Sequence, residues 1–246
     1  MKDSSQGGHD GVYPLPQHPK ISIIVPTLNE EKFIEGTLET ARRVLPDAEV
    51  IVSDGGSTDR TVEIARKYAR VISGKGKVGA ARNRGARESS GDVLIFLDAD
   101  TQINGLFVKE ALEVLKDPEV VGTGGLIMPM GANLIEELFF YFFNLLIVIS
   151  FMIGRPNLAG TCVAYKRKPF FEINGFDESM VASEDFDLCK RISKKGRAVF
   201  LKGIVVRTSR RRLRKKGLGG LILDWGRVTY NYFFGKKTEY YEAVRE

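Results

Sequence analysis

Residues 21–30 read ISIIVPTLNE, in which Ile21 to Val25 form an uncharged and largely apolar run that Pro26 ends. Such a run, rich in isoleucine and valine, is typical of a strand buried on both faces of a parallel sheet. From residue 31 to residue 45 the apolar side chains recur at helical spacing. The sequence therefore predicts a first strand over 21–25 that is followed by a helix over 31–45.

Strands and helices continue to alternate as far as residue 97. Strands are predicted over 49–53, 71–73 and 93–97, and helices over 61–68 and 78–89. This alternation predicts an α/β fold with a mostly parallel central sheet, flanked by helices on both faces. Ligands of such sheets bind beyond the carboxyl ends of the strands, so the residues that follow Val25, Ser53 and Leu97 are candidates for a functional site.

The composition narrows the function classes. With 246 residues, 43% of them hydrophobic, the chain suits one large domain or two small ones and is neither collagen-like nor wholly disordered. Two cysteines and two histidines are too few for a zinc site, and they favour a reducing compartment without disulfides. The net charge of +6 favours an anionic partner, namely a nucleotide, a nucleic acid or a phospholipid.

The positive charge is concentrated in one run. Residues 207–216 (RTSRRRLRKK) hold seven cationic side chains and no acid, and without them the chain has 30 basic and 31 acidic residues. The excess is therefore a local feature of the tail. Residues 1–20 are polar and contain several prolines, which predicts a flexible leader without a signal sequence.

Two acidic motifs follow predicted strands. In residues 53–61 (SDGGSTDRT), Asp59 is a typical helix cap, whereas Asp54 at the strand end is expected to accept hydrogen bonds from a base or a sugar. Asp98 and Asp100 follow an apolar strand, where two carboxylates are too costly to bury without a cation. Oxygen ligands of this kind suit Mg²⁺ or Mn²⁺ bridging to phosphates; the alternative is a solvated turn.

A glycine-rich basic loop lies between these two motifs. Residues 74–85 (GKGKVGAARNRG) place Lys77, Gly79 and Arg82 at the opening of a predicted helix, where backbone donors and cations together suit a diphosphate. The loop has neither the P-loop spacing nor a GxGxxG motif after a strand. The P-loop NTPase and Rossmann dehydrogenase classes therefore lose their main support.

A third acidic motif, SEDFD at 183–187, follows NGFDE at 174–178. These acids could simply cap and solvate a helix over 185–194. The alternative is functional, because a metal-type acid pair needs a separate base elsewhere if a hydroxyl is to be deprotonated. This segment alone leaves both interpretations open.

Two apolar segments indicate a lipid surface. Residues 134–153 carry no formal charge from Leu138 onward, and these sixteen residues cover about 24 Å as a helix, less than the roughly 30 Å hydrocarbon core. They could lie at the interface, enter partway or cross a thinned bilayer; the alternative is a buried core helix. Residues 217–234 form an amphipathic pattern beside the basic run, typical of a helix in an anionic membrane interface, and the alternative is a core helix with a solvated basic approach.

Taken together, these motifs resemble those of the family 2 glycosyltransferases. The resemblance extends from Ile21 to about Gly235 and rests on IVPTLNE (24–30), SDGGSTDRT (53–61), GAARNRGARESSGDVLIFLDAD (79–100), NGFDESM with SED (174–185) and an arginine-rich tail. It implies the GT-A fold and an inverting transfer that depends on a nucleotide-diphospho-sugar and on Mn²⁺ or Mg²⁺.

The resemblance also implies roles for individual residues. The nucleotide pocket would be lined by Pro26, Thr27, Asn29 and Glu30, with Asp54 on the base. The diphosphate would be faced by Arg82 with Lys77 nearby, and Gly79 belongs to the same substrate-binding loop. Asp98 would lie towards the ribose and the metal, and Asp100 would be the metal ligand. Asp185 would be the general base, with Glu184 beside it.

The tail departs from the pattern of cellulose-synthase-like members. Those members carry QxxRW on a helix near the C-terminus, whereas this tail offers Arg210 to Arg212 and Asp224–Trp225. The missing motif argues against a processive polymer synthase. Arg211 and Trp225 stay as candidate substrate contacts.

The resemblance implies a particular transfer. We expect mannose to pass from GDP-mannose to a polyprenyl- or dolichyl-linked acceptor at the cytoplasmic face of the cell membrane, as in N-glycan biosynthesis, with UDP-linked glucose or GlcNAc as alternative donors. The GT-A catalytic domain would span 21–206, and a membrane-interface tail 207–246. A nucleic-acid binder would leave the carboxylates without a role, and a nucleotidyltransferase would need a basic, glycine-rich loop after the first strand. Nucleic acid is therefore not an expected partner, and the oligomeric state stays open.

Overall fold

The computed structural model describes residues 11–233 and residue 238. Residues 1–10 of the predicted leader, and 234–237 and 239–246 of the predicted tail, lie outside the described residues. The strands are β1 (Ile21–Thr27), β2 (Glu49–Asp54), β3 (Arg70–Ser73), β4 (Val93–Leu97), β5 (Thr101–Gln102), β6 (Val120–Pro129), β7 (Cys162–Lys166) and β8 (Arg197–Thr208). The helices are α1 (Ile34–Val44), α2 (Thr61–Ala65), α3 (Val78–Arg87), α4 (Gly105–Leu115), α5 (Leu134–Met152), α6 (Arg167–Glu172), α7 (Glu184–Ile192) and α8 (Arg211–Phe233).

The strands form one mixed sheet in the order β3-β2-β1-β4-β7-β6-β8-β5. The predicted parallel part is present, because β1 pairs in parallel with β2 and β4, and β2 with β3. Beyond β4 the sheet is mixed: β7 lies antiparallel to both β4 and β6, β5 lies antiparallel to β8, and β6 pairs in parallel with β8. The alternation of strands and helices up to residue 97 therefore predicts the parallel strands β1 to β4. It gives no information on the strands that follow.

The core forms on both faces of the sheet, as apolar strands require. Along β1, Ile23 and Val25 pack in one layer with α1 and α4, whereas Ile24 packs in the other layer with α3, α6 and α7. Helix α3 comes unusually close to β1 at Gly85, where a Cβ atom would lie 2.4 Å from Ile24 Cγ2. This close approach brings the start of α3 to the carboxyl edge of the sheet.

Helix α5 docks on the sheet through a narrow stripe. Its buried residues are Phe140, Asn144 and Ile147, one per helical turn. The Asn144 side chain accepts a hydrogen bond from Ile127 N (3.0 Å) and donates one to Ile127 O (2.8 Å). This edge of β6 is open to the asparagine because the pairing of β6 with β7 ends at Gly124.

About half of α5 is exposed and much of the rest is only partly buried, so the alternative of a buried core helix is wrong. Within the described residues, α5 is a helix long and apolar enough to cross a membrane by length and composition, with a mean hydropathy of 1.9 and 17% of that stretch buried. Large apolar residues are exposed along α5 and at Ile153, which follows it. Those within the helix are Leu134, Ile135, Leu138, Tyr141, Phe142, Leu145, Leu146, Ile149 and Met152.

Helix α8 consists of two helical segments, 211–216 and 218–233, which meet in a kink at Gly217 (φ 65°, ψ 171°). In the second segment, Trp225 packs on α5 with its ring centroid 4.4 Å from that of Phe143 and 5.8 Å from that of Phe139. The opposite side of the segment exposes Ile222, Leu223 and Tyr230. The predicted amphipathic helix is therefore present, and its inner face is covered by α5.

Replacing Asn144 with leucine is expected to lower the free energy of unfolding by about 2–4 kcal/mol, because two buried backbone groups of Ile127 lose their partner. Thermal unfolding followed by circular dichroism measures this loss. Ser150→Ala is the matched control on the same helix, since the Ser150 hydroxyl donates only to Ile147 O within α5. Equal melting temperatures for the two variants would contradict the docking role of Asn144.

Candidate active site

A cavity of about 620 Å³ lies where β1, β2 and β4 end. Its lining includes the predicted residues Pro26, Thr27, Glu30, Lys77, Arg82, Asp98, Asp100, Glu184, Asp185, Arg211 and Trp225. The predicted residues Asn29, Asp54 and Gly79 are not part of the lining. The cavity lies at the carboxyl ends of the strands, as predicted. It brings together Asp98 and Asp100, the third acidic motif and the tail.

Arg82 links the two acidic motifs of the cavity. Its side chain is 4% exposed, with Nη1 2.6 Å from Glu184 Oε1 and Nη2 2.8 Å from Asp98 Oδ1. Nη2 also donates to Gly160 O at 3.1 Å. Burial raises the pKa of both carboxyls, even though Arg82 acts in the opposite direction. The sequence predicts that Arg82 faces a diphosphate; the structure shows its terminal nitrogens paired with carboxylates.

Asp185 lies in the first turn of α7, where two backbone amides hold its carboxylate in place. Its carboxylate accepts hydrogen bonds from Gly160 N (2.8 Å) and Phe186 N (2.9 Å). Ser183 precedes the helix with φ 62°, a left-handed conformation that non-glycine residues rarely adopt and that concentrates at functional sites. Burial raises the pKa of the Asp185 carboxyl. A partly buried carboxylate with a raised pKa in a cavity has the basicity that the predicted general base needs.

The other acids of the two segments 174–178 and 183–187 have structural roles. Asp187 forms an ion pair of 2.6 Å with Arg191 one turn along α7, and Asp177 accepts a hydrogen bond from Ser179 N. Glu178 accepts from Asn83 and lies 3.2 Å from Arg87. Asp177, Glu178 and Asp187 therefore solvate or cap. Glu184 and Asp185 line the cavity, and their functional role stays a prediction.

Asp98 and Asp100 fit a divalent ion whose coordination shell is completed by ligands from outside the protein. Asp98 has 33% of its side chain exposed, and Asp100 is buried at the wall of the same cavity. Across residues 11–233, no group of three or more histidine, cysteine, aspartate or glutamate side chains forms a metal cluster. Mg²⁺ and Mn²⁺ sites in phosphate-binding proteins commonly use one or two carboxylates, with water and phosphate oxygens completing the shell.

The tail enters the cavity at Asp100. Ser209 Oγ donates to Asp100 Oδ2 at 2.5 Å, and Arg211 Nε lies 3.0 Å from the same oxygen. The Arg211 guanidinium also donates two hydrogen bonds to the Glu30 carboxylate, one of them 2.9 Å long. Burial raises the pKa of Glu30, and the Arg211 guanidinium opposes that rise. A cation from the basic run therefore bridges two carboxylates of the candidate site.

Other cations of the basic run also face the protein. Arg210 lies 3.1 Å from Glu136 at the start of α5, and Lys216 forms an ion pair with Asp224 across the kink of α8. Three cations of the predicted membrane-interface tail, Arg210, Arg211 and Lys216, thus pair with acids of the chain itself. The partners of Arg210 and Arg211 lie far away in the sequence, whereas the partner of Lys216 lies eight residues further along the chain.

The loop after β2 is ordered by its own carboxylates. Asp54 is buried and accepts hydrogen bonds from Gly56 N (2.8 Å), Ser57 N (3.0 Å) and the Ser57 hydroxyl (2.5 Å). Asn29, with φ 55°, accepts from Thr58 N at 2.8 Å. Both side chains thus order the turn that follows β2, whose Gly55 lines the cavity, and the contact of Asp54 with a base stays a prediction.

The glycine-rich loop contributes one end to the cavity. Gly76, Lys77 and Val78 line it at the start of α3, and Lys77 Nζ donates to Ser179 O. At Gly79, a Cβ atom would lie 3.2 Å from Asp177 O, so this glycine permits close packing of α3. Arg84 points elsewhere and donates to Asp54 O at 3.0 Å. The predicted cradle is thus limited to the residues just before and at the start of the helix.

Part of the cavity lining is apolar, and the sequence did not reveal it. The apolar lining includes Ile127, Phe140, Phe143, Leu213, Leu221, Trp225 and Val228. Most of these lie on α5 and α8, which the sequence assigns to membrane contact. Their apolar pattern was visible, but nothing in it shows that the two helices close the same cavity. Ser209, which holds Asp100, was missed because a lone serine in a basic run carries no signal.

Sequence comparison identifies the relatives of this chain. The family described as Glycosyl transferase family 2 matches residues 22–173. A dolichyl N-acetyl-alpha-D-glucosaminyl phosphate 3-beta-D-2,3-diacetamido-2,3-dideoxy-beta-D-glucuronosyltransferase of Methanococcus voltae is 26% identical over 209 residues, which make up 72% of this chain and 62% of that protein. The chain spans less than two thirds of the length of the curated relatives it matches.

Solved structures share the fold. A mannosyltransferase of Pyrobaculum calidifontis in complex with GDP-Man and Mn²⁺ superposes with a TM-score of 0.64 at 24% identity, covering 88% of this chain and 67% of that one. TarS of Staphylococcus aureus in complex with UDP-GlcNAc superposes with a TM-score of 0.59 at 22% identity, covering 78% and 59%. The predicted GT-A fold is confirmed by these likenesses, and since the family match extends over more than half of its residues, the chain belongs to glycosyl transferase family 2.

Proposed function

We propose that this protein transfers a sugar from a nucleotide-diphospho-sugar, with GDP-mannose as the first candidate, to a hydroxyl of a lipid-linked acceptor, with inversion at the anomeric carbon. The observation that carries the proposal is the placement of Asp185. Two backbone amides fix its carboxylate in the same cavity as Asp98 and Asp100, and Arg82 joins the two sets of acids.

Asp185 is the proposed general base. Its carboxylate accepts the proton of the acceptor hydroxyl while the hydroxyl oxygen bonds to the anomeric carbon. The bond from that carbon to the diphosphate oxygen breaks, and the nucleoside diphosphate leaves with the electron pair. A single displacement of this kind inverts the configuration. The raised pKa of Asp185 favours uptake of the proton at the moment of attack.

The leaving diphosphate is proposed to bind in the part of the cavity that Asp98, Asp100 and Lys77 line. Asp98 and Asp100 would hold Mn²⁺ or Mg²⁺, which supplies positive charge to the diphosphate when bound. Lys77 and the first amides of α3 add positive potential from the chain itself, since the N-terminus of a helix carries partial positive charge. Pro26, Thr27 and Glu30 form the wall beside this region and would contact the nucleoside.

The apolar part of the cavity lining supports a lipid-linked acceptor. Its wall runs from Asp185 to Trp225 and Val228 of α8, so a hydroxyl at the base and a hydrocarbon chain against the apolar wall would occupy one continuous space. The exposed faces of α5 and α8 extend this apolar surface to the outside. We infer that these faces lie in the interface of a membrane, on the cytoplasmic side where nucleotide sugars are found, with residues 21–206 as the catalytic domain and 207–246 as its membrane-facing tail.

Two relatives support the choice of substrates. The name of the Methanococcus voltae protein gives a dolichyl-linked acceptor, and the Pyrobaculum calidifontis structure holds GDP-Man with Mn²⁺. UDP-GlcNAc in the TarS complex favours the alternative, a UDP-linked glucose or GlcNAc donor. GDP-mannose is the first donor to test, and the UDP-sugars form the competing arm.

The test is a donor screen with Mn²⁺. Thermal unfolding is measured with GDP and with UDP, and transfer from each nucleotide sugar to a short polyprenyl phosphate or a lipid-linked glycan is followed by mass spectrometry. We expect the matching nucleotide at about 100 times its Kd to stabilise the fold by about 2.7 kcal/mol. Asp100→Ala is expected to lose the Mn²⁺-dependent part of this stabilisation.

Each outcome assigns the function. A mannosylated lipid product confirms the proposal, and a product from UDP-glucose or UDP-GlcNAc shows that the donor is that UDP-sugar. Stabilisation by a nucleotide without any lipid product shows that the lipid-linked acceptor is wrong. If neither nucleotide stabilises the protein and no donor yields a product, the proposed function is wrong.

A further inference from the structure

Arg211 is an unusual neighbour for two acids of a donor site. It belongs to the tail, yet its side chain is only 15% exposed and it contacts both Glu30 and Asp100. Its guanidinium also lies 5.3 Å from the centroid of the Phe33 ring. Resting on the proposed function, we propose that Arg211 is a resident cation, which holds the donor site ready while it is empty and is exchanged for the metal and diphosphate when the donor binds.

Electrostatics explains why the empty site needs a cation. Glu30 and Asp100 have side chains that are 9% and 11% exposed, and two carboxylates with so little solvent are costly unless a positive charge lies between them. Arg211 supplies that charge, and its forked guanidinium binds the Glu30 carboxylate through two nitrogens. The site is therefore neutralised before any substrate arrives.

The same contact competes with a metal ion. Asp100 Oδ2 already receives Arg211 Nε at 3.0 Å and the Ser209 hydroxyl at 2.5 Å. A divalent ion on this oxygen would lie within a few ångströms of the guanidinium, and two cations at that distance repel strongly in a poorly solvated site. Arg211 must leave Asp100 before the ion binds there. A phosphate is an equally good partner for its planar fork, so the diphosphate offers the displaced guanidinium a new partner.

The exchange requires only the Arg211 side chain to move. The segment 211–216 is separated from 218–233 by the kink at Gly217, where φ is +65°. Both segments are anchored, the second on α5 by Trp225 and the first by the Lys216–Asp224 and Arg210–Glu136 ion pairs. The long arginine side chain therefore changes partners by rotating about its own bonds, while the backbone of the tail keeps its place.

The exchange predicts effects of opposite sign on two binding constants. In Arg211→Ala, Mn²⁺ binding without nucleotide is expected to tighten about tenfold, because a competing cation is gone. GDP binding at saturating Mn²⁺ is expected to weaken about tenfold, because the diphosphate loses a guanidinium. Mn²⁺ affinity is measured by electron paramagnetic resonance of free Mn²⁺, and GDP affinity by calorimetry. If UDP is the nucleotide that binds, it replaces GDP in the second measurement.

Arg214→Ala is the matched control, because Arg214 is an exposed arginine of the same helical segment. It removes the same charge and should change neither constant by more than about twofold. Arg211→Gln, which keeps side-chain hydrogen bonds without the charge, serves if the alanine variant unfolds. Mn²⁺ affinity in both Arg211 variants equal to that of Arg214→Ala would overturn the exchange. The Mn²⁺ titration uses no nucleotide, so it tests Arg211 even if no nucleotide sugar proves to be a donor.

Discussion

Asp185→Asn is expected to abolish sugar transfer and to leave donor binding intact. The asparagine keeps the size of the side chain but cannot accept the proton of the acceptor hydroxyl. Loss of a positioned general base lowers kcat by about 10²–10⁴-fold. Asp185 contacts Gly160 N and Phe186 N and makes no ion pair with Arg82, so its loss leaves the Arg82 bridge in place. Donor affinity, measured by calorimetry with Mn²⁺, should therefore stay at the wild-type value.

Asp187→Asn is the matched control for this experiment. Asp187 lies two residues further along α7 and pairs with Arg191 at a partly exposed position outside the cavity. It should keep nearly full activity and lose at most a small part of the stability, as an exposed ion pair does. Full transfer activity in Asp185→Asn, or equal losses in the two variants, would remove Asp185 from the role of base.

The pH dependence of transfer provides a second measurement on Asp185. Only the ionised carboxylate can accept a proton, and burial raises the pKa of this group above the ordinary aspartate range. Activity should therefore fall as the pH is lowered through the raised pKa, so that the acid limb of kcat/KM lies at a higher pH than for an exposed aspartate. A profile recorded from about pH 4 to pH 8 locates this limb. An acid limb at the pKa of an exposed aspartate would contradict a buried base.

The parallel half of the sheet and its site residues could be predicted from the sequence because their signals are local. Five apolar residues in β4 predict a strand buried on both faces, and Asp98 follows at the edge where ligands of such sheets bind. The same argument placed Thr27 beside the cavity. Asp185 needed more than a local signal, since acids at a helix start are ambiguous. Only the family resemblance singles it out from the other acids of residues 174–187, and its role stays a prediction.

The contribution of the tail could not be predicted, because it depends on contacts between distant parts of the chain. The ion pair of Arg211 with Glu30 joins residues 181 positions apart, and nothing in a run of seven cations distinguishes this arginine from its neighbours. Asp54 has a structural role that its position at a strand end did not reveal. The amides of the next turn donate to its carboxylate, and its contact with a base stays a prediction.

Arg82→Met is expected to cause the largest loss of stability of any substitution considered. The methionine fills a similar volume but leaves Glu184 and Asp98 without the cation that lies between them. Removing one partner from a buried ion pair costs about 3–5 kcal/mol. In a chain of this size that corresponds to a fall of roughly 6–20 °C in Tm. Arg87→Met on the same helix is the control, because its ion pair with Glu178 is about half exposed and worth at most about 1 kcal/mol.

The pH dependence of this deficit tests its cause. Glu184 and Asp98 already have pKa values raised by burial, and loss of Arg82 raises them further. A carboxyl whose pKa is higher in the folded than in the unfolded state binds a proton on folding, so its contribution to stability is full at low pH and is lost as the pH rises through the folded pKa. The Tm deficit of Arg82→Met should therefore shrink as the pH is lowered from neutral towards those raised pKa values. A deficit that is independent of pH, or no larger than that of Arg87→Met, would show that Arg82 does not hold the two acidic motifs together by charge.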